Sequence, residues 1–206
     1  MKEKIFEVPG IPDEYFDRGN LPMTKEEVRC ITVSKLRLSQ DSIVYDVGAG
    51  TGTVSIEAGL IVQKGKVYSI EKTEEGCELI QKNTRKFRLH NIEVIKGEAP
   101  EVLKPLPAPH RVFIGGSGGR LKEILKVCHQ KLRKNGIIVI NCITIETLTT
   151  GVQVLKEKGY SVEIVNIIVS KGEKAGKVTM MKSLNPVFII SARKGGINNG
   201  KHISDC

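Results

Sequence analysis

The sequence predicts a single α/β domain with a seven-stranded, mostly parallel sheet, its last strand antiparallel, and helices on both faces. From Ser42 onward, short β-rich apolar runs alternate with longer runs of helical periodicity, which is the pattern of strand–helix–strand crossovers. No helical run separates the last two apolar stretches, so we expect those two strands to pair antiparallel. With 206 residues, the chain is long enough for one domain to bury a full core.

The individual elements follow in order along the chain. An irregular segment precedes a helix that we expect to begin at Thr24, because Thr24 and Glu27 have the spacing of a capping box. Seven strands are predicted at 43–47, 66–71, 92–97, 111–115, 136–142, 161–170 and 186–193. Four further helices are predicted at 53–63, 74–88, 120–133 and 145–158. Residues 171–185 are expected to form a loop.

The domain organisation is expected to be simple. Residues 1–194 form the domain, in which the N-terminal segment and first helix, residues 1–41, cover the site. The glycine-rich tail, residues 195–206, is expected to be disordered. The five cysteines include no CxxC pair, which argues against a disulfide framework and a zinc site and favours a reducing cytoplasm. The histidines are dispersed, so we expect no metal site, and the longest apolar run is too short to span a membrane.

The positive charge is concentrated in the second half of the chain. The whole chain carries a formal net charge of +9. Residues 1–100 contain 15 Lys and Arg against 16 Asp and Glu, whereas residues 101–206 contain 17 against 7. This asymmetry favours an anionic partner, either a nucleic acid or a polycarboxylate, although a solvated lysine surface gives the same count.

A glycine-rich turn after the first strand is the sharpest sign of a ligand site. The stretch VYDVGAGTG at 44–52 ends the strand and opens the next helix. Glycines at such a turn let the backbone pass close beneath a ligand at a helix N-terminus. A dinucleotide site would show GxGxxG, whereas the GxGxG spacing suits S-adenosylmethionine better. The candidate cofactor residues of this stretch are Asp46, Gly48, Ala49, Gly50, Thr51 and Gly52.

The next two strands end in residues that fit the same ligand. Glu71 ends the second strand, where its carboxylate can accept hydrogen bonds from both ribose hydroxyls. The third strand ends at Gly97, and the following Glu98 and Ala99 can meet an adenine edge. One glycine turn alone would be weak evidence, but three consecutive strand ends of this kind predict an adenosyl site.

A second glycine-rich turn follows the fourth strand. The stretch RVFIGGSGGR at 111–120 runs from an apolar strand straight into a helix. Its turn residues are Gly115, Gly116, Ser117, Gly118 and Gly119. Free N–H groups and the helix dipole favour an anion at such a place, although a tight turn without a ligand accounts for the same residues.

These residues give the chain a resemblance to the decarboxylating cobalt-precorrin-6B C-15 methyltransferase family of cobalamin biosynthesis. The resemblance runs from about Gly10 to Arg193. Its specific marks are GIPDEYFDRGNLPMTKEEVR at 10–29, FIGGSGG at 113–119 and SLNPV at 183–187. The DVGAGTG block at 46–52 is common to methyltransferases in general.

The resemblance implies a Rossmann-like class I methyltransferase domain that uses S-adenosylmethionine. It implies cofactor contacts for Thr24, for the turn at 48–52, for Glu71 and for Ala99, and Thr24 could also serve as the helix cap. Several relatives carry Asp where this chain has Glu71, and the longer acid offers the same two acceptor oxygens. The resemblance also implies a homotetramer.

The substrate that the resemblance implies is a tetrapyrrole with acetate and propionate arms, which fits the positive second half of the chain. We expect the turn at 115–119 to hold one of these carboxylates. The loop after residue 170 could grip the rim of the site or be a solvated turn, and its lysines are Lys171, Lys174, Lys177 and Lys182. Further candidates at strand and loop ends, none with an assigned catalytic role, are Ser117, Asn141 and Glu146.

Two other functions are compatible with the same fold. A tRNA or rRNA methyltransferase would also be basic. Against it, the chain lacks the D/N-P-P-Y/F cluster of amino-methylating enzymes, and it has only 4% aromatic residues and no Trp to stack on bases. A non-catalytic S-adenosylmethionine-binding protein is the second alternative. We expect no membrane partner, and a nucleic acid is the less favoured anion.

Overall fold

The computed structural model describes residues 9–195. Its helices are α1 (Glu26–Leu36), α2 (Thr53–Ile61), α3 (Glu74–Lys86), α4 (Leu121–Lys131) and α5 (Ile145–Glu157). Its strands are β1 (Ile43–Val47), β2 (Lys66–Glu71), β3 (Ile92–Lys96), β4 (Arg111–Ile114), β5 (Ile137–Cys142), β6 (Tyr160–Ile167), β7 (Ser170–Ala175), β8 (Val178–Ser183) and β9 (Val187–Lys194). The seven predicted strands and the four crossover helices match these elements to within about three residues. The predicted disordered tail lies, from residue 196 onward, outside the described residues.

Seven of the strands form one sheet in the order β3-β2-β1-β4-β5-β9-β6. β1 pairs in parallel with β2 and with β4, and the outer pairs β2–β3 and β4–β5 are parallel too. β9 runs antiparallel to both β5 and β6, because no crossover helix precedes it. The predicted mostly parallel sheet with an antiparallel last strand is confirmed.

Helices cover both faces of the sheet, as predicted. Adjacent residues of a strand point to opposite faces. Tyr45 of β1 lies in the core cluster that includes residues of α4 and α5, whereas its neighbour Val44 packs with residues of α2. Because such strands are buried on both sides, they have nearly continuous apolar sequences, and this made them recognisable.

The loop predicted for residues 171–185 is wrong, because most of this segment forms a β-hairpin. β7 and β8 pair antiparallel and make a separate two-stranded sheet. Every residue of these two strands is exposed. Since neither face is buried within the chain, the sequence shows no alternation of polar and apolar residues that would indicate strands.

The predicted helix start at Thr24 is also wrong. α1 begins at Glu26, and Lys25 occupies the N-cap position without a side-chain hydrogen bond to the helix. Instead, Asp13 Oδ1 accepts a hydrogen bond from the Glu26 N–H at 3.0 Å. A carboxylate from a 3-10 turn (Asp13–Tyr15) therefore supplies the acceptor that the local capping box would have supplied.

A buried guanidinium joins the N-terminal segment to α1 and α2. Arg29 is 0% exposed, and its Nε lies 2.6 Å from Oε1 of Glu57 on α2. Its other nitrogens donate to Asp13 and to two backbone carbonyls of the N-terminal segment. Glu57 in turn accepts hydrogen bonds from two backbone N–H groups of the same segment. This network fixes the segment against the two helices.

Arg29→Met is expected to lower the free energy of unfolding by about 3–5 kcal/mol, because it leaves Glu57 as a buried carboxylate without its partner. Lys35→Met is the matched control on the same helix. It removes a 2.6 Å pair with Glu163, whose side chain is 59% exposed, and should cost no more than about 1 kcal/mol. Urea unfolding of both variants measures the difference. Equal losses would show that the network does not stabilise the fold.

Candidate active site

A cavity of about 460 Å³ opens at the edge of the sheet where the parallel strands end. This volume lies in the range of small-molecule sites. Strand-end turns, the N-terminal segment and the base of the β7–β8 hairpin form its wall. The predicted site residues that line it are Thr24, Gly48, Ala49, Gly50, Thr51, Glu71, Glu98, Ala99, Gly115, Gly116, Ser117, Gly118 and Asn141.

The turn at 48–52 is held by its own hydrogen bonds. The N–H groups of Gly48 and of the next residue both donate to the carbonyl of Ile70 at 3.0 Å. The N–H of Gly50 donates to Oε2 of Glu71 at 3.0 Å. The turn thus offers a ligand a bare backbone surface with few free N–H groups, which fits a cofactor without phosphates better than a dinucleotide.

Glu71 has part of its hydrogen-bonding capacity already in use. The residue is 8% exposed, and its Oε2 accepts from Gly50. Its Oε1 accepts from the N–H of Thr73 at 2.9 Å and from the hydroxyl of Thr73 at 2.8 Å. Each carboxylate oxygen can accept two hydrogen bonds. In this geometry Glu71 has room for one ribose hydroxyl, whereas the sequence suggested two.

Asp46 lies beneath the first glycine-rich turn and not on the cavity wall. It is 1% exposed, and its Oδ2 accepts from Ser55 Oγ at 2.5 Å. Its Oδ1 has no hydrogen-bond partner among the described residues. Burial, together with the negative charge of Glu71, raises the pKa of Asp46 to about 7. The position indicates a structural role under the turn in place of the predicted cofactor contact.

Three more of the predicted residues lie outside the cavity wall. Gly52 is the N-cap of α2, and a Cβ there would lie 2.9 Å from Ile80, so it permits close packing of α3. Gly119 is exposed, with no atom within 4 Å of the position of its Cβ. Glu146 lies on the exposed first turn of α5.

The turn at 115–119 packs directly on the first glycine-rich turn. A Cβ at Gly48 would lie 2.5 Å from the carbonyl oxygen of Gly116, so the two backbones touch. The N–H groups of the first two residues of the turn donate to the carbonyl of Val47 at 2.9 and 3.3 Å. Among the described residues, the N–H groups of 117–119 have no protein acceptor. The string of free N–H groups is therefore shorter than the sequence suggested.

Glu98 borders this second turn. Its Oε1 lies 3.8 Å from Lys72 Nζ, and its Oε2 lies 4.0 Å from Arg120. A Cβ on Gly118 would lie 3.5 Å from Glu98 Oε1. The ends of β3 and β4 are therefore neighbours in space, although two other strands separate them in the sheet. The sequence had assigned these two ends to different ligands, and Lys72, which lines the cavity between them, was missed.

The N-terminal segment contributes more to the cavity than the predicted Thr24. All of residues 21–25 line the wall. Asn83 of α3, 0% exposed, connects this segment to the first turn. Its Oδ1 accepts from the Asp17 N–H at 2.9 Å, and its Nδ2 donates to the carbonyls of Asp17 at 2.8 Å and of Thr51 at 2.9 Å. No local pattern marks Asn83, because its partners are distant in sequence.

The far wall of the cavity is mostly apolar. It contains Phe113, Ile143, Val169, Leu184, Asn185 and Val187. Three of these residues belong to the SLNPV motif, which had served only as a mark of the family, and the hairpin that positions them was missed. None of the four hairpin lysines lines the cavity. Lys171 pairs with Glu27 of α1 at 2.7 Å, and Lys182 pairs with Glu173 at 3.3 Å.

Two general findings concern residues 9–195 only. No group of three or more His, Cys, Asp or Glu side chains in this range is placed to hold a metal ion. No helix in the same range has the length and apolar character needed to cross a membrane.

Comparison with solved structures defines the class of protein. A precorrin-6y C5,15-methyltransferase from Geobacter metallireducens superposes with a TM-score of 0.87 and 41% identity, over 92% of this chain and 100% of that chain. A precorrin 8W decarboxylase from Methanobacterium thermoautotrophicum gives a TM-score of 0.84 and 33% identity, over 91% of this chain and 100% of that chain. The fold and the site define an S-adenosylmethionine-dependent methyltransferase of class I.

The sequence comparisons then identify the family. The family model of the precorrin methyltransferase domain matches residues 14–194. A curated relative from Sulfolobus acidocaldarius, named a probable cobalt-precorrin-6B C(15)-methyltransferase (decarboxylating), is 49% identical over 190 residues, which cover 91% of this chain and 98% of the relative. The chain belongs to the precorrin methyltransferase family, as its motifs predicted.

The buried carboxyl of Asp46 predicts a pH dependence of stability. The folded protein holds the proton up to a pKa of about 7, whereas the unfolded chain releases it near 3.8. The folded state is therefore favoured at low pH and loses this contribution as the pH rises from about 4 to 7, by up to about 1.4 kcal/mol per pH unit.

Asp46→Asn is the control for this prediction, because it has the same shape and no charge. Its free energy of unfolding should change less than that of the wild type between pH 5 and pH 8. Urea unfolding of both proteins at the two pH values makes the comparison. Parallel behaviour of the two proteins would show that Asp46 does not titrate in this range.

Proposed function

We propose that the chain uses S-adenosylmethionine to methylate cobalt-precorrin-6B at C-15 and removes the carboxyl group of its C-12 acetate arm, in the cytoplasm, as a step of anaerobic cobalamin biosynthesis. The observation that carries the proposal is one cavity with two different ends. Glu71 and Ala99 line the end suited to an adenosyl group, and apolar side chains line the far wall. The turn at 115–119 lies against the first glycine-rich turn and beside Glu98. The relative from Sulfolobus acidocaldarius has this activity in its name. The family match and the apolar wall favour this function over the RNA-methylating alternative.

The strand ends on one side of the cavity fit S-adenosylmethionine. The free acceptor position on Glu71 suits a ribose hydroxyl, and the buried Ala99 suits the flat face of an adenine. Thr24 faces the same cavity, and its carbonyl is fixed by Arg29 at 2.5 Å. When bound, the cofactor supplies a methyl group on a cationic sulfonium. The first glycine-rich turn supports it from below with backbone alone.

The opposite side of the cavity fits the tetrapyrrole. The apolar residues at the hairpin base and at the end of β5 can pack against a large conjugated ring. The free N–H groups of 117–119 can hold one of its carboxylates. By orienting the ring, these residues bring its C-15 carbon toward the reacting methyl group. The same apolar residues exclude water from the acetate carboxyl, whose bonding electrons pass into the ring as carbon dioxide leaves.

We also propose that the protein is a homotetramer, as its resemblance implies. The β7–β8 hairpin supports self-association, because an isolated two-stranded sheet with both faces in water is marginally stable at best. Large apolar side chains are exposed on it or beside it, at 60–68% of their surface, and they are Ile168, Val178, Met180 and Met181. A surface of this kind is usually covered by another chain.

The tetramer is tested by sedimentation. The wild-type protein is expected to sediment as a tetramer, and the double variant Met180→Lys, Met181→Lys as a smaller species, because two charges replace apolar contacts on the exposed hairpin. The matched control is the double variant Lys126→Ala, Lys156→Ala, which changes exposed residues of α4 and α5 and should not alter the assembly. A wild-type monomer at every concentration would contradict the proposal and would leave the assigned site untouched.

The function is tested by incubation with S-adenosylmethionine and cobalt-precorrin-6B. The expected product has gained one methyl group and lost one carbon dioxide. Gly118 has a φ of 54°, so alanine strains the turn and moves its N–H groups away from the carboxylate. Gly118→Ala should therefore slow turnover by about tenfold or more, the effect of losing a hydrogen bond to a charged group, and should leave the affinity for S-adenosylhomocysteine within about twofold.

Gly159→Ala is the matched control for this variant. Gly159 has a φ of 75°, compared with 54° for Gly118, and its Cβ would meet nothing within 4 Å, so the backbone strain is similar but lies far from the cavity. Equal turnover by the two variants would show that the second turn has only a structural role. A wild-type protein that binds S-adenosylhomocysteine and leaves the tetrapyrrole unchanged would contradict the proposed substrate but not the proposed cofactor.

A further inference from the structure

Asn141 is held by one hydrogen bond whose direction can be worked out. Thr32 Oγ1 of α1 lies 2.8 Å from the carbonyl oxygen of Val28, one turn earlier in the helix. It also lies 3.0 Å from Oδ1 of Asn141, which cannot donate a hydrogen bond in return. Thr32 is 0% exposed, so water does not replace either partner. A hydroxyl has one proton and can donate to only one of the two groups.

The carbonyl of Val28 has to receive that proton. A carbonyl cannot donate, so without the proton two oxygens would face each other at 2.8 Å in a buried place. The amide of Asn141 can donate through Nδ2, and the oxygen of Thr32 keeps lone pairs to accept. Both contacts are satisfied only when the amide is turned by 180°, so that Nδ2 of Asn141 faces Thr32 in place of Oδ1. The two ends of an amide are distinguished by this kind of hydrogen-bond argument.

The amide oxygen of Asn141 then points away from Thr32. Asn141 lines the cavity at the end of β5, and no second hydrogen bond joins its side chain to another described residue. An amide oxygen is an acceptor and repels a carboxylate. Asn141 is therefore unsuited to hold a carboxylate arm of the substrate, and it favours a donor or a cation.

The position of Asn141 indicates which cation its amide oxygen would face. In the sheet order, β5 lies beyond β1 and β4, on the opposite side from the ends of β2 and β3, where Glu71 and Ala99 fit an adenosyl group. The lysines that line the same cavity, Lys25 and Lys72, each have a carboxylate partner, at 3.5 and 3.8 Å. The sulfonium is the cation that the proposed reaction brings to the reacting end.

We propose that Asn141 is a specificity-determining residue that favours S-adenosylmethionine over S-adenosylhomocysteine. Its amide oxygen accepts the C–H groups that the sulfonium charge polarises, whereas the neutral thioether of the product offers no such donor. Thr32 is a positioning residue, because it fixes the direction of the amide. The inference rests on the proposed cofactor and is independent of which tetrapyrrole is methylated.

Calorimetry with the two cofactor forms tests the inference. Asn141→Leu is expected to lower the affinity for S-adenosylmethionine about 2- to 5-fold relative to S-adenosylhomocysteine, the range for a C–H···O contact. If the NH2 group faced the cavity, it would repel the sulfonium, and Asn141→Leu would raise the preference. An unchanged or raised ratio in Asn141→Leu overturns the inference.

Variants of Thr32 test the positioning step. Thr32→Val should reduce the preference for S-adenosylmethionine, and Thr32→Ser should restore it, because serine keeps the hydroxyl. Thr84→Val is the matched control, since Thr84 Oγ1 donates to the Ile80 carbonyl at 2.7 Å in the same helical geometry and bonds to no side-chain amide among residues 9–195. An equal change in Thr32→Val and Thr84→Val would overturn the role of Thr32.

The direction of the amide can also be observed without any ligand. In the free protein, nuclear Overhauser effects are expected between the side-chain NH2 protons of Asn141 and the methyl group of Thr32. Their absence would overturn the inference. Wild-type protein that binds neither cofactor form would reject the proposed cofactor and the inference with it, whereas normal wild-type binding with an unchanged variant ratio would reject the inference alone.

Discussion

The site depends on a backbone contact between two glycine-rich turns. β1 and β4 are hydrogen-bonded neighbours that end together, with Val47 opposite Ile114. The two turns that follow these strands therefore leave the sheet side by side. The carbonyl of Val47 accepts two N–H groups of the second turn, and a Cβ on Gly48 would lie 2.5 Å from the carbonyl of Gly116. Any side chain at Gly48 would push the turns apart and fill the floor of the cavity. Packing of the two turns therefore requires a cavity floor without side chains, whether or not a ligand binds there.

The wall that the N-terminal segment forms is anchored by buried side chains. The N-terminal segment has little regular structure, and two buried polar side chains fix it together with Ile11 and Phe16, which pack in an apolar cluster with Ile56 of α2. Arg29 and Asn83 are both 0% exposed, and both bond mainly to backbone groups and carboxylates of that segment. A buried polar group is tolerable only when it is satisfied, so each of these residues selects one arrangement of the segment. Asn83 also reaches Thr51, which couples the segment to the first glycine-rich turn.

The sequence predicted what depends on local pattern and missed what depends on distant partners. The central strands are buried on both faces, so their sequences are continuous apolar runs that could be recognised. The glycine-rich turns were predicted from the spacing of their glycines. The β7–β8 hairpin was missed because its residues are exposed, and the cap of α1 was assigned to Thr24 because Asp13 lies far away in sequence. Asp46 was assigned to the cofactor from its place beside the turn, but its side chain is buried and accepts a hydrogen bond from Ser55 of α2. Only contacts in space distinguish a residue under a turn from one facing its ligand.

Under the proposed function, the cavity has to accept a cation and an anion at once. The acceptors on its wall include Glu71, Glu98 and the amide oxygen of Asn141, and its donors include the N–H groups of 117–119. Methyl transfer removes the charge of the sulfonium, and loss of carbon dioxide removes the charge of the acetate. Asn141 therefore loses the charge that it contacts during turnover, while Glu71 and the apolar wall bind substrate and product alike. The contact of Asn141 stabilises S-adenosylmethionine more than S-adenosylhomocysteine, which favours release of the product.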